Sequence, residues 1–433
     1  MKTTDFKMPS FIKKRRSKWK TLLVLLFGTI LGAAVLLSIA YITYNKWNVA
    51  DKSGYTLFYT RNDYALAKHE PENGAYLGAY VLQNSAIDFS MKKFNELTGR
   101  KSVSYFKYVG YGKPFPTGWV NNVISVGGFP HIALEPNGGL DEVKDNEYLR
   151  EFAKAAKATG VPVFLRFASE MNGTWTNYSE DPEQYKEKWK LVHEVMKQEA
   201  PNVAMVWTVL AMPEEHIDEF YPGDEYVDWV GVNVYSVKYH NDHSYEKADF
   251  EDPLDLLNYV YTRYSHSKPI QISEFGATHY SVTDSKQDNA FAIRNIQRFY
   301  GAIPDKYPRV KAIYYFDVNN IKEYNEARRI NDYSVTTEPD ILSAYAEAID
   351  HPYYLSEWKE NREGHTATQK FSFRGEVFQR DGEIYADRSF FTDYIKAQVT
   401  GSGSSTTVSY GGKSIQVKTV SKRYGPALRR KYS

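Results

Sequence analysis

Two glutamates each follow a short apolar run, and carboxylates in such places can act as acids, bases or nucleophiles. Glu170 follows the run Val161–Phe167, and Glu274 follows the run Pro269–Ser273. Glycosidic bonds are cleaved between two carboxyl groups, which lie about 5–5.5 Å apart when configuration is retained and farther apart when it is inverted. Either glutamate alone would also suit a salt bridge with a neighbouring cation. Two together favour a paired-carboxylate glycosidase.

Further polar and aromatic side chains are candidates for contact with a sugar. Hydroxyl groups are bound by polar side chains at strand ends, and pyranose rings stack on aromatic faces. The candidate binding residues are His131, Glu135, Asn172, Trp175, Trp119, Trp207, Asn233 and Asp317. Arg166, on the same predicted strand face as Glu170, is expected to help hold a negative charge on Glu274. Trp229 is expected to be buried.

Eight apolar runs are predicted to be the strands that position these residues. Most lack strict alternation, which is typical of parallel strands covered on both faces. They are Ala75–Tyr80, Ser102–Val109, His131–Glu135, Val161–Phe167, Val203–Val209, Val227–Val234, Pro269–Ser273 and Val310–Phe316. Eight strands with intervening helices predict a (β/α)8 TIM barrel, an α/β fold whose catalytic groups stand at the carboxyl ends of the strands. A doubly wound open sheet is the alternative, but no Gly-rich phosphate-binding motif follows the first strand.

Helical patterns separate these strands within a predicted barrel domain spanning residues 54–350. Two of them begin with Asp followed by Pro, at Asp181-Pro182 and Asp252-Pro253, which combine an N-cap with a favoured first helical residue. The predicted helices are Asp88–Leu97, Leu140–Thr159, Pro182–Glu199, Pro253–Tyr264, Lys286–Tyr300 and Pro339–Ile349.

Composition narrows the class of function. The 54 Lys and Arg residues nearly balance the 53 Asp and Glu residues, so no overall charge attracts nucleic acid. The absence of cysteine excludes disulfides, thiolate metal sites and a cysteine nucleophile. No metal-binding spacing of the HExxH type is present, and hydrolysis by two carboxylates needs no cofactor. We therefore predict an enzyme without metal or cofactor.

The amino terminus predicts a location at the membrane. Leu22–Tyr41 carries no charge and is long enough to cross a bilayer as a helix, so residues 22–43 are interpreted as a transmembrane anchor in contact with lipid. Residues 1–21 form a basic tail that the positive-inside rule places in the cytoplasm, which leaves the barrel outside the cell. A cleaved signal peptide is the alternative, but Ser38–Tyr41 is a poor cleavage signal.

The last part of the chain, residues 367–433, is predicted to be a small β-rich module. Its expected strands are Phe371–Gln379, Glu383–Tyr385, Thr406–Tyr410 and Ser414–Val420, with turns at Asp381-Gly382 and Gly411-Gly412. Phe371–Tyr424 loosely resembles the small stalk module found beside copper amine oxidases and in cell-surface proteins. No His cluster accompanies it, so no copper is inferred. Its basic tail is interpreted as solvated charge, with contact to anionic wall polymer or lipid as the alternative. The module as a whole is a candidate for contact with the cell wall or exopolysaccharide.

Five motifs between residues 55 and 350 together resemble glycoside hydrolase family 26, the β-mannanase and lichenase family of clan A. They are Gly78–Tyr80, Pro130–Pro136, Arg166–Trp175, Asp228–Tyr235 and Ser273–Gly276. The resemblance implies a barrel with Glu170 as general acid/base and Glu274 as nucleophile. It also implies that Tyr235 is the family's tyrosine that hydrogen-bonds the nucleophile.

One position departs from the family pattern. Family mannanases usually place a histidine that contacts the sugar directly before the acid/base glutamate, and here that residue is Ser169. A hydroxyl cannot reproduce the reach of an imidazole, so a mixed-linkage β-glucan or another exopolysaccharide is favoured at least as strongly as β-mannan. The leading hypothesis is a membrane-anchored extracellular endo-β-glycosidase with a retaining mechanism. The alternatives are an inactive polysaccharide-binding or assembly protein and a transglycosylase.

Overall fold

A computed structural model of the chain describes residues 56–323, 330–359, 364–380, 382–417 and 419. The predicted basic tail, residues 1–21, and the predicted anchor, residues 22–43, lie outside these described residues. None of the helices within the described ranges combines the length and apolar character that crossing a bilayer requires. Two compact units are present, one built from residues 56–375 and 393–395 and the other from the described remainder of the carboxyl-terminal region.

The first unit contains a closed barrel of eight parallel strands. The strands of the whole unit, inside and outside the barrel, are in chain order β1 Leu57–Ala65, β2 Ala75–Tyr80, β3 Ser104–Gly110, β4 Phe129–Glu135, β5 Val163–Phe167, β6 Val203–Leu210, β7 Trp229–Ser236, β8 Ile270–Ala277, β9 Tyr280–Ser281, β10 Lys286–Gln287, β11 Val310–Phe316, β12 Asn331–Asp332, β13 Tyr354–Leu355 and β14 Thr366–Phe373. β2 to β8 pair in sequence order with β11 last, and β11 pairs back onto β2. All eight predicted barrel strands are therefore confirmed, with shifts of a few residues at their ends.

Helices flank the barrel strands, and most lie where the sequence predicts them. They are α1 Met91–Thr98, α2 Thr117–Ser125, α3 Glu147–Lys157, α4 Pro182–Glu199, α5 Pro253–Tyr264, α6 Asn289–Lys306, α7 Asn320–Glu323 and α8 Pro339–Ile349. The Asp caps of α4 and α5 accept hydrogen bonds from the first helical turn, as their sequences predict. α2 was not predicted, because its cap residue is Pro116 and no side chain caps it. α6 runs past its predicted end at Tyr300 and through Pro304.

Alternation along the strands separates two apolar layers. Side chains that point into the barrel are largely aromatic and form a cluster that includes Tyr76, Phe106, Phe164, Trp229 and Tyr314. Side chains on the opposite strand faces pack against the helices in a larger cluster. Because successive strand residues point to opposite sides, the position of a side chain in this register decides whether it can reach the barrel mouth.

A bulge in β8 occurs at the strand end that carries a predicted catalytic residue. Ile272 pairs with Val232 and Glu274 pairs with the next residue, Asn233, so Ser273 is extra in the register. The pairing with β11 shifts over the same residues. A bulge changes the direction of the side chains that follow it. The strand continues to Ala277, four residues beyond its predicted end at Ser273.

The amino-terminal end of the barrel is closed by an antiparallel pair and a buried ion pair. β1 pairs with β14, which brings the two ends of this unit together. Arg309, which precedes β11, is ion-paired with Glu70, and both side chains are fully buried. The Arg309 guanidinium also donates to the Tyr64 hydroxyl at 2.8 Å. Since β14 pairs with β1, residues 366–375 belong to the barrel-containing unit, although the sequence prediction places residues 367–375 in the carboxyl-terminal module.

The second unit contains two small antiparallel sheets. Its strands are β15 Val377–Arg380, β16 Glu383–Ala386, β17 Gln398–Thr400, β18 Thr406–Tyr410 and β19 Lys413–Val417. β15 pairs with β16, and β18 lies between β17 and β19. The predicted strand Phe371–Gln379 is divided between β14 and β15, because residues 374–376 interrupt it.

Candidate active site

A cavity of about 640 Å³ opens at the carboxyl ends of the barrel strands. Its charged residues are Glu135 from β4, Arg166 from β5, Glu170 from the following turn and Glu274 from β8. Its other lining residues are Tyr80, Gln83, Tyr108, Val109, Gly110, Asn137, Ser169, Trp175, Thr176, Asn177, Tyr178, Asn233, Tyr235, Phe316, Asn320 and Tyr333. The cavity therefore contains both predicted catalytic glutamates.

Glu274 accepts hydrogen bonds from three donors and is almost completely buried. The Arg166 Nη2 atom donates to Oε1 at 2.6 Å, and so does the Tyr108 hydroxyl, also at 2.6 Å. The Tyr235 hydroxyl donates to the second carboxylate oxygen, Oε2. Donors of this kind stabilise a charged carboxylate where water is scarce. The structure thus places Arg166 and Tyr235 on the carboxylate that the family resemblance implies is the nucleophile.

Arg166 connects the two glutamates through one further residue. Its side chain is fully buried, and its guanidinium lies over the ring of Phe106 at 5.2 Å and the ring of Tyr108 at 5.3 Å. Its Nη1 atom donates to the Asn233 Oδ1 atom at 3.5 Å, and Asn233 Nδ2 donates to Glu170 Oε1 at 2.7 Å. The Asn233 amide is therefore oriented with its nitrogen toward Glu170.

Glu170 has an environment that favours its protonated form. Loss of solvation in the cavity wall and repulsion from Glu274 raise its pKa from 4.5 to about 7. The single donor from Asn233 opposes this rise only in part. Two carboxyl groups whose surroundings differ in this way can divide the roles of acid and nucleophile between them.

Glu135 lies beside these two groups and is bound to the turn that carries Glu170. Its Oε1 accepts from the Ser169 hydroxyl at 2.7 Å, and its Oε2 accepts from the Ser169 backbone N–H at 3.0 Å. The Tyr178 hydroxyl lies 2.8 Å from the same Oε2 atom. Burial raises the pKa of Glu135 above its ordinary value.

Trp175 is the one predicted tryptophan platform that faces the cavity. Its side chain is 52 % exposed. The indole lies against the backbone of Gly173, where an added Cβ would be 2.2 Å from the ring. Only glycine leaves space for the ring at this position. An exposed indole at the cavity edge can stack on a pyranose ring.

Three predicted binding residues lie away from the cavity, which corrects the expectation for them. Trp207 is fully buried against the helices, since its neighbours on β6 point into the barrel. His131 lies deep inside the barrel because β4 begins two residues earlier, at Phe129, and burial lowers its pKa. Asp317 is buried and accepts from Asn84 at 2.8 Å, so it joins two loops.

Two further predictions are corrected for similar reasons. Trp119 lies on α2, packs against the layer between helices and barrel, and is absent from the cavity lining. Asn172 is buried, and its amide is hydrogen-bonded to the backbone of Leu210 and Pro213. It therefore joins the turn after β5 to the loop after β6. Trp229 is fully buried, as predicted, and its indole N–H donates to the Lys68 carbonyl at 2.8 Å.

Two tyrosines in the site are not predicted from the sequence. Tyr108 lies near the end of β3 and donates to Glu274. Tyr178 lies in the loop after β5 and contacts Glu135. The sequence signal for Tyr108 is a polar aromatic residue near a strand end, whereas Tyr235 is identified by a family motif. The 36 tyrosines of the chain give that signal many competitors. Within the described residues, no group of His, Asp and Glu side chains is arranged to hold a metal ion.

Comparison with known proteins finds a family similarity over the part of the chain that carries both glutamates. Residues 137–289 match the family model described as glycosyl hydrolase family 26, and this segment contains both Glu170 and Glu274. The resemblance to this family that the motifs indicated is thereby confirmed.

Curated relatives have related descriptions. The β-1,3-xylanase TXYA of a Vibrio species is 26 % identical over 178 residues, covering 38 % of this chain and 36 % of the relative. Endoglucanase H of Acetivibrio thermocellus is 26 % identical over 296 residues, covering 64 % and 30 %. Mannan endo-1,4-β-mannosidase of Bacillus subtilis is 28 % identical over 173 residues, covering 37 % and 40 %. The chain thus spans between 30 % and 40 % of the length of these relatives.

Replacement of Glu170 by Gln is expected to change how stability depends on pH. A folded-state pKa of about 7, above the ordinary 4.5, means that this group's contribution to stability is complete below pH 4.5 and lost as pH rises through 7. At about 1.4 kcal/mol per pKa unit, the loss is at most about 3–4 kcal/mol. Glu170→Gln should therefore gain unfolding free energy relative to wild type between pH 5 and pH 8, measured by urea unfolding at each pH.

The control for this measurement is Glu187→Gln, which removes a solvent-exposed carboxyl on α4. Its difference from wild type should change much less over the same pH range. A Glu170→Gln difference that is constant with pH, or that favours wild type at pH 8, would contradict the raised pKa.

Proposed function

We propose that this chain is an endo-β-glycosidase that hydrolyses a polysaccharide with retention of configuration. The observation that carries the proposal is the contrast between the two glutamates in one cavity. Glu274 is held by Arg166, Tyr108 and Tyr235, whereas burial and the charge of Glu274 raise the pKa of Glu170 to about 7. The match of residues 137–289 to glycosyl hydrolase family 26 supports the same assignment.

In the first step, Glu274 attacks the anomeric carbon while Glu170 transfers its proton to the departing glycosidic oxygen. The bond between these sugar atoms breaks as a glycosyl ester forms on Glu274. The raised pKa keeps a substantial fraction of Glu170 protonated near neutral pH. As the ester forms, Glu274 loses its negative charge while Glu170 gains one. The two glutamates therefore do not both carry a full negative charge during this step.

In the second step, the ionised Glu170 removes a proton from water, and the hydroxyl oxygen attacks the anomeric carbon. The ester bond breaks, Glu274 regains its negative charge, and the sugar keeps its original configuration. Arg166 and Tyr108 both contact Oε1 and therefore stabilise the carboxylate as it departs. If a sugar hydroxyl replaces water, the same intermediate leads to transglycosylation.

The charges of the cavity support an uncharged polysaccharide as substrate. Among the described lining residues, three are acidic, and the single cation, Arg166, is already paired with Glu274. A polymer rich in uronic acids would bring negative charge beside Glu135 and Glu170 without a free cation to meet it. Neutral β-glycans avoid this cost.

The residue before the acid/base bears on which neutral glycan is bound. The Ser169 hydroxyl donates to Glu135 rather than facing the cavity as a free donor. This arrangement supports a mixed-linkage β-glucan or another neutral exopolysaccharide at least as well as β-mannan. The relatives named β-1,3-xylanase, endoglucanase and mannan endo-1,4-β-mannosidase make β-1,3-xylan a further candidate.

Wild-type protein is expected to release reducing ends from at least one of four substrates: β-mannan, mixed-linkage β-glucan, β-1,3-xylan and the exopolysaccharide of the producing organism. Glu170→Ala should lower the rate about 10²–10⁴-fold, because it removes the general acid. Glu274→Ala should lower the rate at least as much, because it removes the nucleophile. The exposed Glu187→Gln should match wild type.

The anomer first released, followed by NMR, tests the stereochemistry of the same reaction. A β-configured first product agrees with double displacement, whereas an α-configured one indicates inversion and contradicts the nucleophilic role of Glu274. If wild type releases no more reducing ends than Glu274→Ala on all four substrates, the enzymatic proposal fails.

Tyr108→Phe is expected to lower kcat by about 10-fold to 100-fold, since a hydrogen bond to a charged group is worth about 1.5–3 kcal/mol. Its hydroxyl is one of two donors to Glu274 Oε1, the atom position that must bear charge when the ester breaks. Tyr111→Phe is the matched control, because its hydroxyl contacts the Lys144 backbone outside the cavity. Equal kcat values for the two variants would show that Tyr108 does not assist Glu274.

We also propose that the enzyme acts at the outer face of the cell membrane, anchored by residues 22–43. The support is the uncharged run Leu22–Tyr41 and the basic residues before it. Intact cells treated with protease should lose the barrel domain, whereas a tag fused to residue 1 should remain protected. Protection of the barrel in intact cells, or recovery of the whole chain from the medium, would contradict this location.

A further inference from the structure

Glu170 lies in a turn with an unfavourable backbone conformation. Ala168 and Glu170 have φ angles of 46° and 59°, in the left-handed region that residues with a Cβ atom rarely adopt. Each such residue costs on the order of 1 kcal/mol or more, so the conformation persists only where the surroundings impose it.

All six backbone polar groups of residues 168–170 have partners. The N–H groups of Ala168 and Glu170 donate to the carbonyls of Leu134 at 3.1 Å and Thr208 at 3.0 Å, which belong to the two neighbouring strands. The Glu170 carbonyl accepts from the Gly173 N–H at 3.0 Å. These contacts join the turn to β4 and β6 through the main chain.

Side chains provide the other three contacts. The Ala168 carbonyl lies 3.2 Å from the Tyr185 hydroxyl. The Ser169 carbonyl lies 2.9 Å from the Tyr178 hydroxyl, and the Ser169 N–H donates to Glu135. The central residue of the turn is therefore held by side chains at both its N–H and its carbonyl, and its own hydroxyl donates to Glu135 as well.

Glu135 is thus bound to Ser169 through both of its oxygen atoms. It stands at the end of β4, the strand next to β5, so it is fixed to the barrel independently of the turn. Tyr178 contacts both Glu135 and the Ser169 carbonyl, and closes the set. We name Glu135, Ser169 and Tyr178 the turn clamp.

We propose that the turn clamp positions the acid/base: Glu135 holds Ser169 so that Glu170 projects toward the glycosidic oxygen. Glu135 is then a positioning residue rather than a sugar ligand. Ser169 occupies the position before Glu170 because a short hydroxyl donates to Glu135 at 2.7 Å without leaving the turn. This inference rests on the proposed function, since it assigns the clamp to the proton-transfer step of that reaction.

The test compares two substrates of the same sugar for each variant. One is the polysaccharide, whose leaving group needs a proton from Glu170, and the other is a 2,4-dinitrophenyl β-glycoside, whose leaving group departs without one. With Glu135→Gln, kcat/KM for the polysaccharide should fall at least about 10-fold, toward the loss expected for a missing general acid. The value for the dinitrophenyl glycoside should stay within about 3-fold of wild type.

Ser169→Ala is the second variant, since it removes one of the two contacts with Glu135 and leaves the backbone contact in place. It should show the same selective loss, smaller than that of Glu135→Gln. Glu187→Gln serves as control and should leave both kcat/KM values unchanged. Glu274→Ala should abolish hydrolysis of both substrates. It gives the rate that remains when the proposed nucleophile is absent.

Equal losses on the two substrates in both clamp variants would overturn the proposal, because a sugar ligand or a general structural support affects every substrate alike. No loss on either substrate would overturn it too. Both outcomes leave the proposed function intact as long as wild type hydrolyses the polysaccharide. If wild type hydrolyses neither substrate, the proposed function fails and the clamp assignment fails with it.

Discussion

The ion pair between Arg166 and Glu274 is the interaction on which the rest of the site depends. Both side chains are buried, at 0 % and 4 % exposure, and a buried charge without its partner costs several kcal/mol. The guanidinium lies over the rings of Phe106 and Tyr108. Its Nη1 atom donates to the Asn233 amide oxygen, which orients the amide nitrogen toward Glu170. A single buried cation therefore pairs with one carboxylate and sets the surroundings of the other.

The surroundings of the second glutamate, Glu170, favour its protonated form. Glu170 stands on a turn with two left-handed residues, receives one amide donor, and lies close enough to Glu274 for repulsion to raise its pKa. Both strain and desolvation lower stability in exchange for a proton that can be donated near neutral pH. The barrel offsets that cost through contacts with the turn. They are the backbone contacts of residues 168–170 to β4, β6 and Tyr185, together with the turn clamp.

Much of the barrel could be predicted from sequence, because buried parallel strands and capped helices leave local signals. The directions of the Trp207 and His131 side chains could not be predicted in the same way. Each side chain's direction depends on strand register, and neither apolar run reveals its register alone. The bulge at Ser273 and the turn at Glu170 are set by pairing across strands, so the contacts of Tyr108 and Tyr178 were invisible until the barrel was assembled.

Trapping the covalent intermediate tests the central assignment most directly. The protein is incubated with 2-deoxy-2-fluoro β-glycosyl fluorides of glucose, mannose and xylose, quenched in acid, digested and examined by mass spectrometry. Our account predicts one glycosyl group on the peptide that contains Glu274 and none on that peptide in Glu274→Ala. A glycosyl group on another residue, or turnover of the same reagents by Glu274→Ala at the wild-type rate, would contradict it.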